Sequence, residues 1–365
     1  MSHRSATRLA ISVNNYSSRA FLSVRYLVGL FGLTLTRTST ELTSYRIHAG
    51  NGRYDDSRPL PAGVAAVLDD RNPGLAQLRT LYSGLASPFK PGSFWRRSRR
   101  LRDLNLKYFR GDNAYIWQLR QLGDNARLKF FLYARYVGAL DAHKLLDLTS
   151  EDGAFGCWTF DFHELPTSSR DLLDSINEIY FLDRHWGLLS RTDCTVVDIG
   201  AGYGRLAHRM VETVPGLKRY LCVDAIPEST FLSEQYVKYR KVDHKASVLR
   251  LDEVADRLAA EPPDLAVNIH SFSEMPLSVI EAWIELLARS GVPALMIVPN
   301  EGDRLLSLED DYLRRDFAPV LERHGYVLAA REPTIADPDV RELFGAGDWF
   351  MLYRRAGATP TPDVP

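Results

Sequence analysis

Asn268, His270 and Glu274 are of types and spacing suited to proton transfer. Asn268 and His270 alternate at the end of a predicted strand, so their side chains point to one face of the sheet. Histidine titrates near neutral pH and could accept the proton of an attacking hydroxyl group. We predict that His270 is a catalytic base; a structural histidine is the alternative. Glu274 is the second predicted catalytic residue, because one helical turn would let it orient the imidazole or hold a metal; a helix cap or solvated surface position is its alternative.

A second group of residues, Asp198-Ile-Gly200-Ala-Gly202-Tyr-Gly204, places glycines at alternate positions after an apolar strand. Glycine allows a tight turn and lets the backbone approach a ligand without side-chain collision. Such a loop is typical of adenosine cofactor sites, where the amides opening the next helix face polar cofactor atoms. A dinucleotide fingerprint needs its last glycine three residues after its second, and Arg205 occupies that position. The spacing therefore argues against a dinucleotide.

Asp224 ends the next predicted strand, about twenty residues after Gly204, where a carboxylate could accept both ribose hydroxyls of an adenosine. The alternative is a surface acid at a strand end. Asp198 either anchors the cofactor or accepts hydrogen bonds from the loop amides. The predicted cofactor-binding residues are Asp198, Gly200, Ala201, Gly202, Tyr203, Gly204, Asp224, Ala225 and Asn268.

Alternating strands and helices must position these residues. Strands are predicted at 195–199, 220–223, 247–251, 265–270, 294–298, 326–330 and 349–353. This alternation predicts a parallel sheet. No helix is predicted between the last two strands, and we expect them to pair as an antiparallel hairpin because a parallel neighbour needs a crossover.

The first half of the sequence predicts helices that cap the cofactor domain. Asn72-Pro73 is a cap and first-turn pair, and Ser168-Ser-Arg-Asp171 resembles a capping box. A helix over 125–148 is expected to turn four side chains inward, those of Leu128, Phe131, Leu132 and Tyr136. We divide the chain into four parts: a variable helical region over 1–90, a helical cap and substrate-binding segment over 91–165, a cofactor-binding core over 166–356 and a flexible tail over 357–365.

The Asp-x-Gly-x-Gly-x-Gly motif that begins at Asp198 resembles the first motif of class I S-adenosylmethionine (SAM) methyltransferases. A terminal strand pair without a crossover helix is characteristic of the same class. The resemblance implies an α/β fold with a Rossmann-like class I methyltransferase sheet, mostly parallel with a C-terminal antiparallel hairpin. The helical pattern of the first half adds an N-terminal helical cap to this prediction. The resemblance also implies SAM as the cofactor, bound by the glycine loop and Asp224.

Three segments resemble a narrower family, the sugar O-methyltransferases of actinobacterial gene clusters for polyketide glycosides and other glycoconjugates. They are 110–118 (RGDNAYIWQ), 169–178 (SRDLLDSINE) and 268–275 (NIHSFSEM), and the resemblance covers roughly 94–353. It implies methyl transfer from SAM to a hydroxyl of a sugar-containing small molecule or glycoconjugate.

The segment 110–118 has chemistry suited to a carbohydrate wall. Aromatic rings pack on the apolar faces of sugars, while polar side chains supply directional hydrogen bonds. The predicted substrate-binding residues are Arg110, Asp112, Asn113, Tyr115, Trp117 and Gln118. A helix with a buried Tyr and Trp is the alternative.

Charge and composition limit the partners. A formal net charge of -1 gives no global attraction to nucleic acid, and we expect no nucleic-acid partner. The basic cluster over 96–110 nevertheless keeps an RNA methyltransferase as one alternative, and a methyltransferase for a non-sugar small molecule is also left open. A further alternative is a SAM-binding protein that acts without catalysis as an assembly partner. Asp and Glu residues could supply oxygen ligands for Mg²⁺, but no spacing establishes a metal site. The oligomeric state is left open.

The three cysteines are scattered and odd in number, which favours a reducing cytoplasm over a disulfide framework. Arginines flank the apolar run over 20–35, and Arg25 interrupts it. This pattern predicts an amphipathic helix rather than a signal peptide or a spanning helix. Such a helix could make a peripheral contact with an anionic membrane, and packing on the protein body is its alternative. The predicted location is cytoplasmic, with or without membrane association.

Overall fold

The structure, a computed structural model, describes residues 54–96, 104–111 and 126–357, together with positions 27, 30 and 101. Most of the predicted N-terminal helix and the tail from 358 onward lie outside the described residues. So do five predicted substrate-binding residues, Asp112, Asn113, Tyr115, Trp117 and Gln118.

Short helices and one hairpin precede the central sheet. They are α1 (Val64–Val67), α2 (Pro73–Gly84), α3 (Ser93–Arg96), α4 (Ala126–Leu140), α5 (Leu145–Leu148), and the antiparallel pair β1 (Phe160–Phe162) and β2 (Leu165–Ser168). The predicted cap of α2 is confirmed, since the Asn72 side chain accepts a hydrogen bond from the Gly74 amide at 2.8 Å. Leu75 and Tyr82 are buried on the inner face of α2.

The single helix predicted over 125–148 was wrong, because two helices cover this region. The Asp141 carboxylate accepts hydrogen bonds from the amides of Leu145 and Leu146, which caps α5 separately from α4. Leu128 faces outward and is 59% exposed. The buried face of α4 is instead formed by Phe130, Tyr133, Ala134 and Val137.

A seven-stranded sheet forms the centre of the protein. Its elements are α6 (Arg170–Trp186), β3 (Cys194–Ile199), α7 (Arg205–Thr213), β4 (Leu217–Val223), α8 (Pro227–Tyr239), β5 (Ala246–Leu249), α9 (Val254–Ala260), β6 (Leu265–Ile269), α10 (Leu277–Arg289), β7 (Ala294–Val298), α11 (Ala318–Arg323), β8 (Tyr326–Pro333), α12 (Pro338–Phe344) and β9 (Trp349–Arg355). The strand order is β5-β4-β3-β6-β7-β9-β8. Strands β3 to β7 are parallel, and β9 runs antiparallel to both β7 and β8. The predicted α/β sheet, mostly parallel with a C-terminal antiparallel strand pair, is confirmed.

Two local predictions need correction. The antiparallel pairing of β8 with β9 is confirmed, but helix α12 lies between them. Asp337 starts that helix by accepting hydrogen bonds from the amides of Asp339 and Val340. At α6, the cap is Ser169 rather than Ser168, because the Ser169 hydroxyl accepts the Leu172 amide at 3.1 Å.

The sheet reverses its strand order between β3 and β6, which are hydrogen-bonded neighbours although two strands separate them in the chain. In open α/β sheets, ligands bind in the crevice at the carboxyl ends of the strands flanking such a reversal. Both strands are buried between apolar layers on the two faces of the sheet. The fold therefore holds the loops after β3, β4 and β6 on a rigid support. None of the helices within the described residues is long and apolar enough to cross a membrane.

Candidate functional site

The glycine loop, residues 200–204, joins β3 to α7. Gly200, Gly202 and Gly204 have φ values of 81°, 59° and 86°, a region that side-chain-bearing residues rarely adopt. A Cβ at Gly200 would lie 2.2 Å from the Ser271 hydroxyl, whereas a Cβ at Gly202 would meet nothing within 4 Å. Glycine is therefore required at position 200, because the loop after β6 leaves no room there for a side chain. Gly202 leaves open space beside the backbone, which is the room a ligand would need.

Asp224 directly follows β4 and is bound to the glycine loop. Its carboxylate accepts hydrogen bonds from the Gly202 amide at 3.0 Å and from the Ile226 amide at 2.8 Å. Burial raises the pKa of Asp224 to about 7, against the lowering effect of these amides. Each carboxylate oxygen has a second lone pair, so the group could still accept ligand hydroxyls. The half-buried Ala201 and Ala225 flank this contact.

Asp198 lies beneath the glycine loop, inside β3. The side chain is buried, and it accepts a hydrogen bond from the Tyr220 hydroxyl at 2.8 Å. Burial raises the pKa of Asp198 to about 7 although Tyr220 and Arg205 lower it. Asp198 therefore supplies a carboxyl group at the base of the loop whose charge depends on pH near neutrality.

Tyr203 and Arg110 support the glycine loop from inside the protein. The Tyr203 ring is buried against Phe109, and its hydroxyl donates to Asp171. Arg110 is fully buried and donates to Glu151 at 2.7 Å and to Asp171 at 3.1 Å. We therefore assign both residues to positioning the loop. The full burial of Arg110 contradicts the substrate contact predicted for it, whereas the cofactor contact predicted for Tyr203 stays a prediction.

Burial alone would raise the pKa of the Glu151 carboxyl, but the guanidinium groups of Arg110 and Arg209 hold it well below its usual range. Glu151 thus stays ionised beside them. The buried ion pairs of Arg110 with Glu151 and Asp171 hold the segment 104–111 against the core. Moving the segment away would leave charges buried without a partner, which is costly.

Asn268 connects the end of β6 to the glycine loop. Its amide nitrogen donates to the Ile199 carbonyl at 2.8 Å and to the Ser271 hydroxyl, and its oxygen accepts the Phe272 amide at 3.0 Å. Asn268 is fully buried. The cofactor contact predicted for Asn268 is thus replaced by a role in holding two loops together. Ser271 was missed by sequence reasoning, and no local pattern marks it.

His270 lies between Asn268 and Ser271 in the chain and has a strained backbone conformation. Its φ is +66°, and its amide donates to the Val298 carbonyl at 2.7 Å. A non-glycine residue in this region costs free energy and commonly marks a functional position. The Nδ1 atom is buried and has no hydrogen-bond partner among the described residues. Burial lowers the pKa of His270, so the imidazole is neutral at pH 7 and able to accept a proton.

Glu274 does not join His270 in the described part of the chain. Its carboxylate accepts hydrogen bonds from the Trp95 indole at 3.1 Å and from the side-chain Nδ2 of Asn300 at 3.5 Å. The orienting role predicted for Glu274 is replaced by a link between the cap helix α3 and the loop after β7. Within the described ranges, no group of three or more His, Cys, Asp or Glu residues could hold a metal ion.

A cavity of about 340 Å³ opens beside His270, between α6, the end of β7 and the segment that joins β8 to β9. Its polar lining residues are Tyr133, Arg170, Asp174, Glu178, His270, Thr334 and Asp348, and its other lining residues are Val298, Ile335, Phe344, Gly345, Ala346, Gly347 and Phe350. The volume is near the small end of ligand pockets, which span about 300–1,000 Å³. The cavity has room for one small ring and its substituents.

Two of the cavity carboxylates are already paired. Asp174 accepts from the Tyr133 hydroxyl at 2.8 Å and from Arg170 at 3.2 Å. Glu178 accepts two hydrogen bonds from Arg205, at 2.8 and 3.0 Å. Burial raises the pKa of Glu178 to about 7 even though Arg205 lowers it. Asp174 and Glu178, which line the cavity from α6, were not predicted from the sequence, although their spacing of four residues places them on one helix face.

Comparisons with known proteins give likeness at the level of fold. No family model matches the chain, and no curated protein matches it. A SAM dependent methyltransferase from Aquifex aeolicus is 18% identical with a TM-score of 0.34, over 48% of this chain and 87% of that one. Magnesium protoporphyrin IX methyltransferase from Synechocystis, solved with bound SAM, is 14% identical with a TM-score of 0.36, over 51% and 83%. At these values the likeness assigns no activity to this chain.

Proposed function

We propose that this protein is a SAM-dependent O-methyltransferase whose acceptor is a hydroxyl of a sugar or glycosylated metabolite. The observation that supports it best is the convergence of the glycine loop, Asp224 and His270 on one edge of the sheet. The hydrogen bond that the Gly202 amide donates to Asp224, and the one that the Asn268 side chain donates to the Ile199 carbonyl, join the three strand ends into one unit. His270, the candidate base, thereby belongs to the same edge of the sheet as a loop of the adenosine-binding type.

The residues around the loop fit a bound SAM. Gly202 leaves its side of the backbone open, and Asp224 retains acceptor capacity for ribose hydroxyls. Asp198 would serve the amino-acid portion from below the loop. When bound, SAM supplies an electrophilic methyl group, and the carbon–sulfur electron pair leaves with sulfur as the acceptor oxygen bonds to the methyl carbon. The protein must therefore align the hydroxyl and remove its proton.

His270 is suited to that proton transfer. A sugar hydroxyl is a weak acid and the ether product is neutral, so a base must accept the proton as the oxygen attacks. The lowered pKa keeps the imidazole in the form that can accept it. Asn268 donates a hydrogen bond to the Ser271 hydroxyl, which in turn donates to the Ile199 carbonyl. These bonds hold the backbone on both sides of His270 against the end of β3, where the glycine loop begins. No metal ion is part of this proposal.

Calorimetric titration with SAM, with its demethylated product and with NAD tests the cofactor. Binding of both SAM-type ligands and not of NAD supports the proposal, whereas NAD binding, or no binding of SAM by folded protein, would refute it. The acceptor is tested by mass spectrometry for methyl addition across glycosides, glycolipids and RNA. Methylation confined to RNA would replace the sugar acceptor by the alternative that the basic cluster over 96–110 suggests.

A further inference from the structure

We infer that the cavity beside His270 receives an acceptor that carries a protonated amine as well as the hydroxyl to be methylated, and that Asp348 binds the amine. The inference rests on the proposed function and specifies its acceptor class as amino sugars or similar small cyclic amino alcohols. It is based on how the charges that line the cavity are paired.

Asp348 differs from the other carboxylates of the cavity. Tyr133 and Arg170 occupy the oxygens of Asp174, and Arg205 occupies both oxygens of Glu178. The carboxylate of Asp348 has no hydrogen-bond or ion-pair partner within the described part of the chain. It is half-buried and lines the same cavity as His270. A partly desolvated carboxylate is stabilised by a cation, and an ammonium group from the acceptor would supply both charge and donors.

The positions of Asp348 and His270 in the cavity would determine where the amine and the reacting hydroxyl of the acceptor lie. Among the charged groups that act on the His270 imidazole, Asp348 has the largest effect. In so small a cavity, a single ring would place its hydroxyl at His270 and its ammonium at Asp348. The apolar side chains of Ile335, Phe344 and Phe350 provide surface for the carbon faces of such a ring.

The same charge distribution disfavours other acceptors. A carboxylated sugar would bring a second negative charge against Asp348, and the Arg170 guanidinium, which acts on Asp348 without an ion pair to it, already forms an ion pair with Asp174. An N-acetylated sugar would present a neutral amide in place of the ammonium. The cavity therefore discriminates by charge as well as by shape. Because the ammonium stays protonated at Asp348, its nitrogen has no lone pair and the oxygen is methylated.

The test uses the full-length protein, saturating SAM and matched methyl glycosides. The panel consists of the 2-, 3-, 4- and 6-amino-deoxy derivatives of methyl glucoside, each with its N-acetyl form, together with the neutral parent and the uronate. We expect kcat/KM for at least one amino glycoside to exceed that of its neutral and N-acetyl counterparts about tenfold or more, the size of one charged hydrogen bond. NMR should place the new methyl group on oxygen.

Asp348→Asn keeps the shape of the side chain and removes its charge. This variant should raise the KM for the amino glycoside about tenfold and reduce the amino-to-neutral preference to about one, with SAM affinity retained. Asp339→Asn removes a charge from an exposed position on α12 outside the cavity, and it should keep the wild-type preference.

The outcomes separate this inference from the proposed function. Equal use of amino, N-acetyl and neutral glycosides, a preference that survives Asp348→Asn, or methylation on nitrogen would overturn the inference. The first two results would leave sugar O-methylation in place. Absence of SAM binding, or SAM binding without methylation of any glycoside, would overturn the proposed function and this inference with it.

Discussion

Replacing Gly202 by alanine separates the cost of folding the glycine loop from the cost of binding a cofactor there. The new Cβ would touch no protein atom within 4 Å, so no steric clash arises within the protein. The φ of +59° disfavours alanine by about 1–2 kcal/mol, and reduced freedom of the unfolded chain offsets about 0.4–1 kcal/mol of this. We therefore expect a net loss of about 1 kcal/mol and a fall in Tm of about 2 °C.

Cofactor binding should suffer more than stability in Gly202→Ala. The added methyl group would occupy the open space where SAM is proposed to approach the backbone. Overpacking of a fitted site costs about 1–3 kcal/mol, which corresponds to a rise in the Kd for SAM of about fivefold to 150-fold. Calorimetric titration measures the Kd, and thermal unfolding without ligand measures the Tm.

Gly291→Ala is the matched control. Gly291 also has a positive φ, +78°, and a Cβ there would also meet nothing within 4 Å. It lies between α10 and β7, at the amino end of the strand and so at the opposite edge of the sheet. We expect a similar fall in Tm and an unchanged Kd for SAM. An unchanged Kd in Gly202→Ala as well would refute the placement of the cofactor on the glycine loop.

Three further predictions concern the ionisable groups of the site. His270→Ala should retain the Kd for SAM and lower kcat at saturating acceptor about a hundredfold or more, the usual contribution of a general base, and undiminished turnover would exclude that role. In the wild type, kcat with saturating SAM and a saturating neutral methyl glycoside should fall in acid solution with a midpoint below pH 6.5, because the pKa of His270 is lowered and only the neutral imidazole accepts a proton; an acid limb centred above pH 6.5 would contradict the burial argument. For Asp198, the pKa in the folded state, about 7, lies above the unfolded value of 3.8, so its contribution to stability is complete below about pH 4 and is lost as pH rises through 7. Asp198→Asn should therefore gain about 1–2 kcal/mol relative to wild type between pH 5.5 and pH 8, and a denaturant-unfolding difference that is independent of pH would show that Asp198 is already ionised.

The sheet and the glycine loop could be predicted because local constraints determine them. Glycines at alternate positions after a buried strand leave few backbone paths, and all three have the positive φ that the motif requires. Alternating strands and helices restrict the sheet to a parallel arrangement, as found for β3 to β7. The importance of Asp224 could be predicted from its position at the end of a strand. In the structure its carboxylate accepts a hydrogen bond from the Gly202 amide of the glycine loop.

The partners of individual side chains could not be predicted, because distant segments determine them. Glu274 is one helical turn from His270 in sequence, yet it binds Trp95, which is 179 residues away. Arg110 is in a polar segment typical of a surface, but buried carboxylates from two other segments surround it. Asp348 lies in a loop without periodicity, and only the fold brings it into the cavity with His270.

Transfer of an isotope-labelled methyl group tests the central claim most directly. The protein would be incubated with SAM deuterated at its methyl group and with the glycoside panel, and the products examined by mass spectrometry and NMR. The proposed function predicts one labelled methyl group on a sugar oxygen, with one demethylated SAM formed for each product, and loss of this product in His270→Ala. Labelled methyl found only on RNA or only on nitrogen, or SAM bound without transfer to any acceptor, would contradict it.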